Sequence, residues 1–224
     1  MKIDLEVSEP VNFSSGDHQH LVHTAAIKDF IMKVFVILSI QLFITAMIIS
    51  IFVFCEPVKK WIIARPWFLY ALLDIRRQVP ANYILLAFFT ILEGLLLGSM
   101  SVFYRADEIL WAAGATTVVT LVLTLFALQT KWDFTLLSGV MFVFTSVLLI
   151  YGIIALVIRS YWLHLVYSAL GTLLFSIYLV MDVQMMVGGH YHYEINPEEY
   201  IFAALNIYVD IISLFIFILD LIGR

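Results

Sequence analysis

Three carboxylates stand inside or at the edge of long apolar runs: Glu93, Asp182 and Asp210. A charged side chain at membrane depth costs at least ~2.5–3.5 kcal/mol on insertion scales, so it faces a partner or water rather than lipid. Asp182 and Asp210 lie on consecutive apolar runs joined by a short connection. If they meet, two carboxyl groups at hydrogen-bond distance in a low dielectric cannot both stay ionised, and they share a proton. Deprotonated, the pair repels itself and attracts a hard cation, and calcium takes oxygen ligands. Asp182 and Asp210 are therefore candidates for a pH-responsive gate and a weak, transient calcium site. The plainer alternative is that each acid is neutral, or hydrogen-bonded to Tyr, Ser or Asn, and only fixes helix packing. On spacing alone the two readings are evenly matched.

Glu93 is a weaker candidate for lining a path, because nothing in the sequence identifies its partner. Tyr178, one turn before Asp182, and Asn206, one turn before Asp210, are further path-lining candidates. With Tyr208 they are also candidate hydrogen-bond partners for the acids. Depth limits the idea. Asp182 is near the end of its run, whereas Asp210 lies about three turns, ~16–20 Å, into its own. The two are level only if the last helix begins deep or the connecting loop dips.

The elements that must hold these acids follow from composition. Of 224 residues, 63% are hydrophobic and 13% charged. A soluble core cannot absorb that much apolar surface, so the chain is an all-α polytopic membrane protein. Six clear spans are expected: Ile31–Phe54, Tyr83–Phe103, Ile109–Leu128, Phe134–Ile158, Leu163–Val187 and Pro197–Ile222. Residues 1–28 read as a short, loosely ordered polar tail ahead of a bundle over 29–224. The last run opens with Pro197, Glu198 and Glu199, a good helix start. Because it carries Asp210, with Asn206 and Ser213 on the same face, it belongs inside the bundle.

Between Cys55 and Asn82 the pattern is irregular. Trp61 to Leu73 is apolar but interrupted by Arg65-Pro66, and Arg76, Arg77 and Pro80 follow. Lys28 and Lys33 place the N-terminus on the cytosolic side. A stub that failed to cross would leave the most basic loop outside. A short, distorted or re-entrant element that still changes sides is therefore favoured.

Other functions are excluded or weak. No basic stripe suits nucleic acid, and a single cysteine, Cys55, precludes an internal disulfide. The first apolar run is too far in and too long for a cleaved leader, and is expected to act as a retained anchor. Ser213 has no His at its depth to activate it, so the chain is not read as an enzyme. His18, His20 and His23, or His190, His192 and Glu194, form at best weak metal sites. Gln41 and Thr45 are helix-packing groups. Asp220 is expected at the membrane interface beside Arg224 with no special role.

The block Asn196-Pro197-Glu198-Glu199-Tyr200, continuing through Phe202–Asn206 and Tyr208 to Asp210-Ile211-Ile212, resembles the Bax-inhibitor (transmembrane Bax inhibitor motif) family and its Lifeguard branch. Phe54–Val58, Arg76-Arg77 with Pro80-Ala81-Asn82, Leu128–Phe134 and Tyr178–Gln184 carry the same resemblance, from about residue 28 onward. It implies a bundle of seven helices with the last one central, a pH-sensitive calcium leak through internal membranes, and negative regulation of apoptosis. Asp182 and Asp210 match the family's gating aspartates, with calcium as the permeant ion and no cofactor. Implied partners are membrane lipids, Bcl-type regulators, death receptors or inositol trisphosphate receptors. Endoplasmic reticulum or Golgi is the implied location, with the plasma membrane as the alternative. One departure stands out. Only Trp67 to Ile75 separates Pro66 from the Arg-Arg-x-x-Pro block, so most of the second helix is missing. The rival reading is a non-conducting interaction protein that regulates apoptosis through its partners.

Overall fold

The computed structural model describes residues 15–65, 83–158, 160–188 and 199–223. Asn12, the Arg76-Arg77 block, the His190–Asn196 loop and Arg224 lie outside them. The described residues form helices α1 (Ser15–Phe54), α2 (Glu56–Ile63), α3 (Tyr83–Ser101), α4 (Ala106–Gln129), α5 (Ser138–Ile158), α6 (Tyr161–Val187) and α7 (Tyr200–Ile222). A short 3₁₀ turn, Phe134–Leu137, leads into α5. No strand occurs among the described residues. α1 begins at Ser15, so helix already occupies the second half of the segment expected to be a loose tail.

Among the described residues five helices are long and apolar enough to cross a membrane: Ile27–Phe54, Ala106–Gln129, Phe134–Ile158, Tyr161–Val187 and Tyr200–Ile222. α3 is shorter, apolar over Leu86–Ser101. Its 19 residues span ~28 Å against a hydrocarbon core of ~30 Å. The count is thus five full spans and a shorter sixth, where six full spans were expected. Outward-facing apolar side chains such as Trp111, Phe142 and Val157 are 72–78% exposed, the surface of a protein solvated by lipid.

α7 is the axis of the bundle. In its membrane-crossing window 56% of residues are buried, against 17–28% in the other four. α6, α4 and α1 pack around it. It meets α6 at close range: a side chain at Gly171 would run into the ring of Phe217. That is the role small residues play at membrane helix contacts.

Paired contacts fix the helix directions. Gln41 reaches Thr90, while Cβ atoms at Gly94 and Gly98 would touch Ile48 and Phe52. Positions rise together on both helices, so α1 and α3 are parallel. Lys33 over Tyr200 and Thr45 against Tyr208 make α1 and α7 parallel as well. α6 runs opposite to α7, with Asp182 beside Asp210 and Ser168 beside Asp220. The second element expected to change sides lies mostly outside the described residues, which resume at Tyr83.

The arrangement places Cys55 and Phe103 at one face of the bundle and Trp132 at the other. In sealed vesicles, a membrane-impermeant thiol reagent should label Cys55 and a Phe103→Cys variant (in a Cys55→Ser background) from the same side. A Trp132→Cys variant should label only from the opposite side. Labelling of Cys55 and Phe103→Cys from opposite sides would refute the parallel arrangement.

Candidate functional site

Asp182 sits on α6 and Asp210 on α7, and their carboxyl groups are in hydrogen-bonding contact. The depth mismatch is resolved by where the helices stop. Asp182 is five residues from the end of α6, and Asp210 is ten residues into α7. α6 therefore ends about five residues, ~8 Å, short of the first turn of α7. Gly188, with φ 62°, terminates α6 there in a backbone conformation that side chains avoid.

Both acids are sealed, Asp182 8% and Asp210 5% exposed. Asp210 Oδ2 is buried with no hydrogen-bond partner among the described residues. No Lys or Arg occurs in α3, α4, α5, α6 or α7, so none of those helices can neutralise a charge on the pair. Two carboxyl groups in contact in a low dielectric favour sharing a proton over ionising together.

The other candidates are not all drawn to this pair. The Tyr178 hydroxyl bonds Thr145 on α5 at 2.8 Å. The Tyr208 hydroxyl bonds Thr45 on α1 at 2.7 Å. Asn206 is half-buried one turn before Asp210. Glu93 is 2% exposed and lies on α3, on the α1 side of the bundle.

Two polar residues matter more than the sequence suggested. Asp220 is a clasp rather than an idle interface residue: it accepts from Ser168 on α6 and, at 3.3 Å, from Tyr104 ahead of α4. Its carboxylate sits where the ends of three elements converge, which spacing within α7 could not show. Gln184 is fully buried, one turn after the residue before Asp182. Its Nε2 donates to the Trp132 carbonyl at 2.9 Å, and its Oε1 accepts from the Phe134 amide at 2.8 Å. Asp133 meanwhile caps the 3₁₀ turn by accepting from the Thr135 amide at 2.9 Å. The polar block from Thr130 to Thr135 is thus tied to the end of α6 that carries Asp182.

With this geometry, comparison with known proteins is informative. Residues 27–224 match the family model described as "Inhibitor of apoptosis-promoting Bax1". The chain belongs to the Bax-inhibitor family, in its Lifeguard branch. Human protein lifeguard 3 is 38% identical over 235 aligned positions, covering 97% of this chain and 74% of that protein. Mouse protein lifeguard 3 is 39% identical, covering 87% and 68%. Bax inhibitor 1 of Schizosaccharomyces pombe is 34% identical, covering 87% and 76%. The human alignment is longer than the 224-residue chain itself, so some positions of that relative have no counterpart here. The protein is therefore an integral, multi-pass membrane protein of this family.

Gln184→Leu should leave the Trp132 carbonyl and the Phe134 amide without partners inside the bundle. Each such orphan costs about 1–3 kcal/mol. The variant should unfold at a clearly lower temperature in detergent. An unchanged melting temperature would show that the loop does not depend on this clamp.

Proposed function

We propose that this protein is a pH-sensitive calcium leak of internal membranes, endoplasmic reticulum or Golgi, and through that leak a negative regulator of apoptosis. The observation that carries the reading is the sealed contact between Asp182 and Asp210 on the central helix and its neighbour. While the pair holds a proton, α6 and α7 stay joined and the path is shut. Loss of that proton leaves two negative charges in contact without a cationic side chain. The pair then separates or takes up a cation, and calcium with its oxygen preference is the natural occupant. Protons and calcium compete for the same oxygens, so calcium occupancy of the pair rises with pH. Glu93 and Asn206 are the further path-lining residues of this proposal, while Tyr178 contributes through α5. No step requires a cofactor or an enzymatic reaction.

The described relatives support the apoptotic half. The matching family model is named for inhibition of a death-promoting protein, and two relatives bear the name lifeguard. Bcl-type regulators, death receptors and inositol trisphosphate receptors are the proposed protein partners, with the plasma membrane as a second location. A rival reading, a non-conducting interaction protein, draws on the burial of the pair and the shortened interval after Pro66. In that case the Asp182–Asp210 contact only fastens α6 to α7.

Flux of calcium into proteoliposomes across about pH 6 to 8 separates the two. A leak should show a pH-dependent flux whose response flattens in both Asp182→Asn and Asp210→Asn. Partner binding should survive both substitutions. A well-folded preparation that passes no calcium at any pH in this range would leave the interaction protein standing.

A further inference from the structure

α2 sits where the bundle meets the lipid headgroups. The apolar span of α1 ends at Phe54, Cys55 breaks the helix in an extended conformation, and Pro57 lies in the first turn of α2. α2 does not continue the line of α1. Ile62, 3% exposed, packs with Phe52 and with Val102, just past the end of α3. In a straight helix, residues ten apart stand ~15 Å from one another. α2 therefore folds back over the ends of α1 and α3, at the boundary of the bilayer, with Val58 and Ile62 turned towards the protein.

The rest of α2 is uncovered. Trp61 is 42% and Ile63 53% exposed, and Lys60 and Arg65 are exposed as well. Arg65 stacks on the Trp61 ring at 4.8 Å, which engages the face of its guanidinium and leaves the N–H groups at its edge to donate. Between Cys55 and Arg65 three basic residues, Lys59, Lys60 and Arg65, stand against one acid, Glu56, a balance of +2. Among the described residues no ion pair reaches any of the three, not even from Glu56 to Lys60 one turn on. Other charged groups described at this face are engaged. Arg105 pairs with Asp107 at 3.1 Å, Glu108 accepts from the Arg105 amide at 2.9 Å, and Asp220 is held by Ser168 and Tyr104.

Unmatched cations thus share one short helix with exposed apolar side chains at the membrane edge. A bilayer surface answers both. Its phosphate oxygens accept from Lys and, in a two-pronged contact, from Arg. Its upper acyl chains cover a tryptophan and an isoleucine that water would solvate poorly. A zwitterionic headgroup brings its own cation and leaves the balance on α2 unchanged, whereas a headgroup of net negative charge cancels it.

We propose that α2 and Arg65 form a docking surface for anionic glycerophospholipids. Lys59, Lys60 and Arg65 hold the headgroup, while Trp61 and Ile63 seat the helix among the acyl chains beneath it. The surface is separate from the aspartate pair and does not depend on a calcium leak.

Cys55, the single cysteine, stands directly before α2 and can carry a reporter. The test uses the purified full chain labelled there with a donor dye, in phosphatidylcholine vesicles. A trace of acceptor lipid is added, phosphatidylserine or phosphatidylcholine with the same dye-bearing acyl chain. Energy transfer should favour the serine lipid about fivefold, the worth of one basic residue at an anionic surface. The preference should shrink as potassium chloride is raised. It should vanish when Lys59→Gln, Lys60→Gln and Arg65→Gln are combined. Equal transfer to both lipids in the wild type would overturn the surface. So would a preference that survives the triple substitution or ignores salt. Should the triple variant fail to fold, Lys60→Gln alone, at an exposed position, should lower the preference, and an unchanged value would refute the proposal.

Discussion

Two carboxyl groups in contact within the membrane need a helix with little lipid-facing surface, and α7 meets that need. Its burial is about twice that of the other four long spans. Hydrocarbon offers nothing to an ionised side chain, so a central position follows from Asp210 before any packing detail is considered. The remaining helices then act as its solvent. α6 brings Asp182, α1 brings Thr45, and α4 closes a further side with apolar and threonine side chains. The same constraint explains several threonines and serines of α1 and α4. Ser39, Ser50, Thr116 and Thr117 each donate to the carbonyl one turn earlier, which lets a hydroxyl sit in an apolar wall without an orphaned hydrogen.

Much of this architecture was readable from the chain because membrane helices announce themselves by length and hydropathy. Asp210 marked α7 as central, and its membrane-crossing window is the most buried of the five long ones. What escaped was everything decided by rotation about a helix axis or by where a helix stops. Tyr178 and Tyr208 are spaced to serve the aspartates, yet their hydroxyls turn to α5 and α1. A spacing of four residues places two side chains on one face, and says nothing about which neighbour that face meets. Gln184 stood out only as the end of the Tyr178–Gln184 block, and its role was not legible, because its partners are groups 50 and 52 residues earlier. The level contact of Asp182 with Asp210 depends on α6 ending early at Gly188, and a helix end is fixed by the tertiary fold as much as by local sequence.

The polar contacts on α7 divide by position along its length. At its far end, Asp220 is bound by Ser168 and Tyr104, fixing the register of α6 against α7 through neutral hydroxyl donors. At its middle, Asp210 meets another acid. The first contact has its donors built in, and its strength does not require a proton to be borrowed. The second has none, since neither carboxylate brings a hydrogen when ionised. A bundle that needed only a fastener at Asp210 could have used a donor there, as it does ten residues later. In the proposed reading, holding two acids together makes their contact conditional on proton supply, while the Asp220 clasp keeps the helices aligned when that condition fails. The near absence of basic side chains from the membrane-crossing helices sharpens the dependence. A lysine or arginine beside the pair would stabilise its charged form and remove the conflict. The pair is thus poised by what surrounds it as much as by its own chemistry.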